Sequence, residues 1–160
     1  MLTLSIALTG IYISAAERKK AEILQKISLF FYEMRRLCQK GSYTIEEVFR
    51  KTACMNELQG LDFPVFLNEN FSSGENLKSL WLQAVSYENK SLSRKARDSL
   101  SAFSEEFGKE SREGFCSRCL YYGELFEDEA RKEKAKWEKN REITVYTGIL
   151  AAAAVFFIFM

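Results

Sequence analysis

An all-α fold, a cytoplasmic helical bundle flanked by N- and C-terminal transmembrane helices, is what the sequence predicts, and three observations predict it. The 160 residues include one Pro and eight Gly, so little interrupts a helix, and no stretch alternates as a strand would. Apolar residues recur at helical spacings of three and four through the middle of the chain, the mark of helices with one buried face. Both ends are apolar, and all 23 basic and 22 acidic residues fall between Glu17 and Glu142. The chain divides accordingly into an N-terminal transmembrane helix over 1–16, a helical domain over 17–142 and a C-terminal transmembrane helix over 143–160.

At ~1.5 Å per residue the last segment reaches about 27 Å, close to the hydrocarbon thickness of a bilayer. The first segment is about a turn shorter, with Arg18, Lys19 and Lys20 placed to snorkel at its end. A cleaved signal peptide is the rival there, because Ser14-Ala15-Ala16 suits a peptidase. Against it, no Lys or Arg precedes the apolar core. Arg18, Lys19 and Lys20 follow the first segment, and Lys132, Lys134, Lys136, Lys139 and Arg141 precede the last. Both basic clusters lie on the domain's side, so the positive-inside rule makes the domain cytoplasmic and sends both termini outward.

The first domain helix runs from about Arg18 to Lys40 and continues the first segment. Ile23, Ile27, Phe30, Met34 and Leu37 form its stripe, widened by Leu24, Phe31 and Cys38, and Gly41 is placed as its C-terminal cap. Thr44 and Glu47 have capping-box spacing for a second helix, whose inner face is Ile45, Val48, Phe49, Thr52 and Ala53. Asn56 to Asp62 reads as a connection. Asp62 then caps a short helix carrying Phe63, Phe66 and Leu67, with Pro64 in its first turn. Asn68 to Gly74 is the most loop-like stretch, and Ser73 is placed to cap the helix of Leu77, Leu80, Trp81, Ala84 and Val85. Glu88 to Ser93 is a polar break. A further helix from about Ser93 to Phe107 shows Ala96, Leu100, Phe103 and Phe107. After a second break, Lys109 to Gly114, the final helix opens with Phe115, Cys119, Tyr122 and Phe126.

The chain has no His, which removes the commonest general base and the commonest metal ligand. No spacing of carboxylates, Lys or Cys builds a catalytic centre, and none is expected; nor is a cofactor or metal. A net charge of +1 argues against nucleic acid as the main partner. Cys116 and Cys119 are the one pattern that could carry chemistry. As a zinc half-site they need two more ligands, which only Cys38 and Cys54 could supply. As a redox pair they lack the strand-and-helix setting. Burial as small apolar residues on one helix face explains them more cheaply, and zinc found in stoichiometric amount on the purified domain would overturn that explanation.

The charged run Glu127 to Glu142 reads as a solvated stalk, and also as a contact surface with its basic side near anionic head groups. Trp137 fits an aromatic belt or packing against the first helix equally well. The many Phe side chains are core, and any exposed cluster of them would mark protein binding.

A resemblance completes the reading. Lys139-Asn140, Gly148-Ile149-Leu150 and the apolar tail closing on Met160 follow the pattern of the stage III sporulation protein AB family of endospore-forming bacteria. So do the Arg35 to Leu37 region, the turn at Gly41 leading to Ile45-Glu46-Glu47-Val48, the helix bearing Trp81, and Phe107-Gly108. The resemblance covers nearly the whole chain and contains no catalytic signature. Tyr43-Thr44 stands where the family often has Thr-Pro. Lys109 to Cys119 departs from the family and is about a turn shorter, and the pair Cys116 and Cys119 is not expected in it.

The resemblance implies a non-enzymatic platform similar to the inner-membrane platform protein F of type II secretion and type IV pilus machines. It would sit in the outer forespore membrane, with its domain in the mother-cell cytoplasm, within a complex linking mother cell and forespore. The implied partners are a secretion-type ATPase, neighbouring membrane subunits and the lipid bilayer, and an oligomer is compatible with this role. The reading from another class is a secreted or surface-anchored helical adaptor with a cleaved signal peptide. A small membrane-bound redox or zinc protein built on Cys116 and Cys119 is a third.

Overall fold

Two long helices form the frame. The computed structural model describes the backbone of residues 2–71, 76–88 and 92–159, and the side chains of 16–71, 76–88, 92–143 and 145–147. In chain order the helices are α1 (Leu2–Gln39), α2 (Ile45–Ala53), α3 (Asp62–Asn70), α4 (Leu77–Tyr87), α5 (Arg94–Phe103) and α6 (Arg112–Phe159), with 3₁₀ turns at Asn56–Leu58 and Ser104–Glu106. Among the described residues there is no strand, and the all-α expectation holds. Among them, too, no helix is long and apolar enough to cross a membrane. The expectation of two spans rests mainly on the side chains of 1–15 and 148–160, which lie outside the described residues.

Helices α1 and α6 run antiparallel along the domain. Arg112, at the start of α6, donates from Nη1 to the Cys38 carbonyl near the end of α1 at 3.3 Å. At the other end Asn140 Nδ2 donates to the Glu17 carboxylate at 2.9 Å, and Lys20 pairs with Glu133 at 3.1 Å. Between them the helices come close enough for Ser28 Oγ to donate to the Gly123 carbonyl at 2.8 Å. Gly123 permits that approach: a Cβ there would stand 2.9 Å from the ring of Tyr32, whose hydroxyl is bound to Glu127 at 2.7 Å.

The short helices fill the side of this pair. None is long enough to be stable alone in water, and each supplies an aromatic ring to one cluster. Trp81 of α4 lies within 6.3 Å, ring centre to ring centre, of Phe30 and Phe31 from α1, Phe49 from α2, Phe63 from α3, Phe103 from α5, and Phe107. Its indole Nε1 donates to the Leu100 carbonyl at 2.6 Å, so the buried polar tip is satisfied. Phe31 carries the cluster to α6, meeting Phe126 with rings 5.7 Å apart and parallel to within 3°.

Most expected boundaries hold, with informative shifts. The Thr44–Glu47 capping box is formed in both directions, and Gly41 ends α1 in the left-handed region at φ 71°. Asp62 does not cap α3; it is the first helical residue, Leu61 holds the cap position, and no neighbouring side chain caps it. Asn76, whose side chain accepts from Lys78 and Ser79, caps α4; Ser73, the expected cap, lies outside the described residues. Helix α5 stops at Phe103, because Ser104–Glu106 tighten into a 3₁₀ turn that lets Phe107 fold back onto Trp81. Gly114 belongs to the first turn of α6 rather than to the break.

The close crossing makes Gly123 and Gly114 opposite cases. Gly123→Leu forces Tyr32 out of its contact and should lower unfolding free energy by about 1–3 kcal/mol, the usual range for overpacking. Gly114→Ala, with its nearest neighbour 3.4 Å away, should raise stability by up to about 1 kcal/mol through helix propensity. Denaturant titration of both variants beside the parent checks the contrast.

Candidate functional site

The structure gathers three of the four cysteines where the end of α1 meets the start of α6. Cys38 and Cys119 are buried and Cys116 is half-buried, while Cys54 is exposed on another face, donating to Asn68 Oδ1 at 3.2 Å. Burial first, and then the hydrogen-bonded Cys116 thiol, pushes the Cys38 thiol up to about 12. Burial pushes the Cys119 thiol upward as well, with Cys38 beside it adding to the effect. With no metal bound, thiols held that high stay protonated at neutral pH. Among the described residues no group of three or more His, Cys, Asp or Glu is arranged to hold a metal ion. The buried sulfurs of Cys38 and Cys119 fill space between the two helices.

Trp137 faces the first helix. It lines a groove of about 550 Å³ with Arg18, Ala21, Glu22, Gln25, Ala130 and Lys134 among its walls. Arg141 lies over its ring at 5.7 Å. The charges around this groove neutralise one another: Arg18 pairs with Glu22 at 2.8 Å and Arg131 with Glu127 at 3.7 Å. The charged run is therefore neither a bare stalk nor a uniformly basic face. It is the outer half of a helix pair that continues to Glu17 and Asn140.

Two buried charged groups escape a reading by periodicity. Glu88 sits in what the sequence presents as a polar break, yet its residue is only 3% exposed. Its carboxylate accepts from the backbone N–H groups of Asp62 at 2.5 Å and Phe63 at 2.8 Å. It supplies the N-terminal cap that α3 lacks in its own sequence. Burial pushes the Glu88 carboxyl above its ordinary value, and the two backbone donors pull it part of the way back.

The other group is Arg118. Its guanidinium lies over the rings of Phe103 at 4.6 Å, Phe107 at 5.4 Å and Phe115 at 5.8 Å. It donates to the Phe103 carbonyl at 2.8 Å and pairs with Glu110. That arrangement ties the turn between α5 and α6 to both helices through cation–π and hydrogen-bond contacts. The sequence signal for it was available: a single Arg among residues otherwise spaced for burial, with Glu110 two turns earlier.

The exposed apolar side chains outside the terminal segment are few. Val65 is 49% exposed and Tyr87 64%, and Phe66 touches the Tyr87 ring at 5.2 Å. These three form one patch on the outer side of α3 and α4. Leu82, on α4, and Tyr121, on α6, are exposed as well.

A family model described as stage III sporulation protein AB matches residues 1–160. No curated protein and no solved structure matches the chain.

The Glu88 cap carries a pH signature. Its carboxyl is raised in the folded state, so its contribution to stability is fully present below the unfolded value near 4.5 and is lost as pH rises through the raised folded value. Glu88→Gln keeps an acceptor for the two N–H groups and should flatten that decline between acid and neutral pH. Glu88→Ala orphans both donors and should cost about 2 kcal/mol at acid pH, a cost that shrinks as pH rises through the raised folded value. Unfolding curves collected across pH 4–8 for the three proteins check both statements.

Proposed function

Because the chain belongs to the stage III sporulation protein AB family, whose model spans it from end to end, we propose that it is a non-enzymatic platform subunit of a sporulation complex. On this reading, residues 17–142 form the cytoplasmic domain, and 1–16 and 143–160 are two membrane legs. The observation that carries the reading is the antiparallel pairing of α1 and α6, closed at one end by Glu17 and Asn140. Both apolar segments leave the domain from that same end. A single bilayer could receive both, and Arg18, Lys19 and Lys20 would stand beside Lys136, Lys139 and Arg141 at its cytoplasmic surface.

The platform works by position. It holds a folded helical surface at a fixed place over the membrane, where a secretion-type ATPase and neighbouring membrane subunits dock. On this reading the chain divides labour as the platform protein F of type II secretion and type IV pilus machines does, anchoring and positioning while a partner supplies the energy. The location that goes with it is the outer forespore membrane, with the domain in the mother-cell cytoplasm. Two features agree with a role without catalysis: the chain has no His, and the buried cysteines are held as thiols.

Replacing Ala152 and Ala153 together by Lys tests the second leg, since each Lys near a helix centre costs about 2.5–3.5 kcal/mol of insertion free energy. A C-terminal tag should move to the cytoplasmic side, read by a membrane-impermeant label, and co-purification of the other complex members should fall. Unchanged sidedness with unchanged assembly overturns the two-legged platform. So does an intact-mass measurement showing that residues 1–16 have been removed.

A further inference from the structure

Charge is unevenly distributed along this chain. Between Lys51 and Lys90 the only basic residue is Lys78, set against Glu57, Asp62, Glu69, Glu75 and Glu88, in a protein whose net charge is +1. The acidic stretch is the one that folds into α3 and α4. On the outer face of α3, Asp62, Val65, Phe66 and Glu69 follow one another at helical spacing, and Asp62, Val65 and Glu69 are exposed while Phe66 is partly so. Tyr87 of α4 adds its ring beside Phe66. The result is an apolar ridge flanked by carboxylates.

Several basic side chains around this stretch have partners of their own. Lys78 is paired with Glu105 at 2.6 Å, and Lys51 lies over the Tyr43 ring at 4.7 Å. Lys26 of α1 donates to the Gln59 carbonyl. Lys90 lies outside the described residues. The groove between α1 and α6, by contrast, carries ion pairs along both of its walls.

We propose that the outer face of the α3–α4 hairpin, centred on Val65, Phe66 and Tyr87, docks a basic amphipathic helix of a partner protein. The proposal rests on the platform reading and adds to it the surface used and the chemistry of what it takes. An apolar edge on the partner covers Val65, Phe66 and Tyr87, and Lys or Arg on either side meets Asp62 and Glu69. A second copy of this chain does not fit that description, because its own long charged helix mixes Glu and Lys in near alternation.

The test uses the full-length chain in nanodiscs of zwitterionic lipid, with empty nanodiscs as the background. Two labelled peptides serve as probes: an amphipathic helix of Leu and Lys, and its counterpart of Leu and Glu. The Leu/Lys peptide should bind more tightly. Replacing Val65 and Glu69 together by Lys, both exposed, should weaken it by about tenfold or more with unchanged helical circular dichroism. The same variant should lose a protein partner from the complex yet keep the membrane sidedness of the parent. Equal binding of the two peptides overturns the docking face, as does equal binding by parent and variant. In either case the anchoring results decide the platform reading separately.

Discussion

Everything in this domain depends on the ring cluster around Trp81. Helices α2 to α5 are each of eleven residues or fewer, below the length at which a helix persists in water. What makes them fold is burial of one or two large rings apiece against the same indole, and edge-to-face or tilted geometry adds to that burial. Six of the 13 Phe in the sequence meet the Trp81 ring. A core assembled from short helices has few contacts per helix, so each contact has to be large. Trp81 also fixes orientation, because its Nε1 can satisfy itself on the Leu100 carbonyl in only one pose.

The α1–α6 pair is joined to that cluster through one residue above all. Phe31 touches Phe30, Trp81, Phe103, Tyr122 and Phe126, so it belongs to the wedge of short helices and to the long frame together. Below it the frame continues on different terms. Ser28 and Gly123 bring the backbones together, Ala21 and Ala130 pack where larger residues would separate them, and ion pairs take over from rings toward Glu17. The packing thus thins from an aromatic core to a polar helix pair along one axis.

Much of this was legible in the residue pattern. Ile23, Ile27, Phe30, Met34 and Leu37, spaced by fours and threes, are all buried on α1, and Thr44 with Glu47 forms the capping box its spacing announces. Periodicity succeeds there because it reports which side of a helix meets other atoms. It fails where the partner is remote in sequence. Asp62 looked like a cap because it precedes a short apolar run, but Glu88, 25 residues beyond Phe63, provides the acceptor. The 3₁₀ turn at Ser104 was hidden for a similar reason: Phe107 fits a continued helix in spacing, and only the position of Trp81 makes folding back preferable. Among the sites, the shared helix face of Cys116 and Cys119 follows from their spacing, whereas the approach of Cys38 to them required the topology.

Those remote contacts also decide how the domain would present a surface. Lys26 reaches Gln59 from a point nine residues past Glu17 on α1, about 14 Å along the helix at ~1.5 Å per residue. The start of α3 is therefore held beside the middle of the frame, with Phe63 against Phe30. Glu88 pins that same start to the end of α4, so the two helices bearing Val65, Phe66 and Tyr87 are locked to each other as well as to α1. On the platform reading, a helix bound to this face would lie alongside the middle of the bundle rather than at its far tip. The acidic character of the hairpin then has a second consequence, since carboxylates near an anionic leaflet are repelled by it. The basic residues around Lys20 and Lys139 would face the lipid, the acidic hairpin would turn away from it, and the domain's tilt would follow from the separation of its own charges.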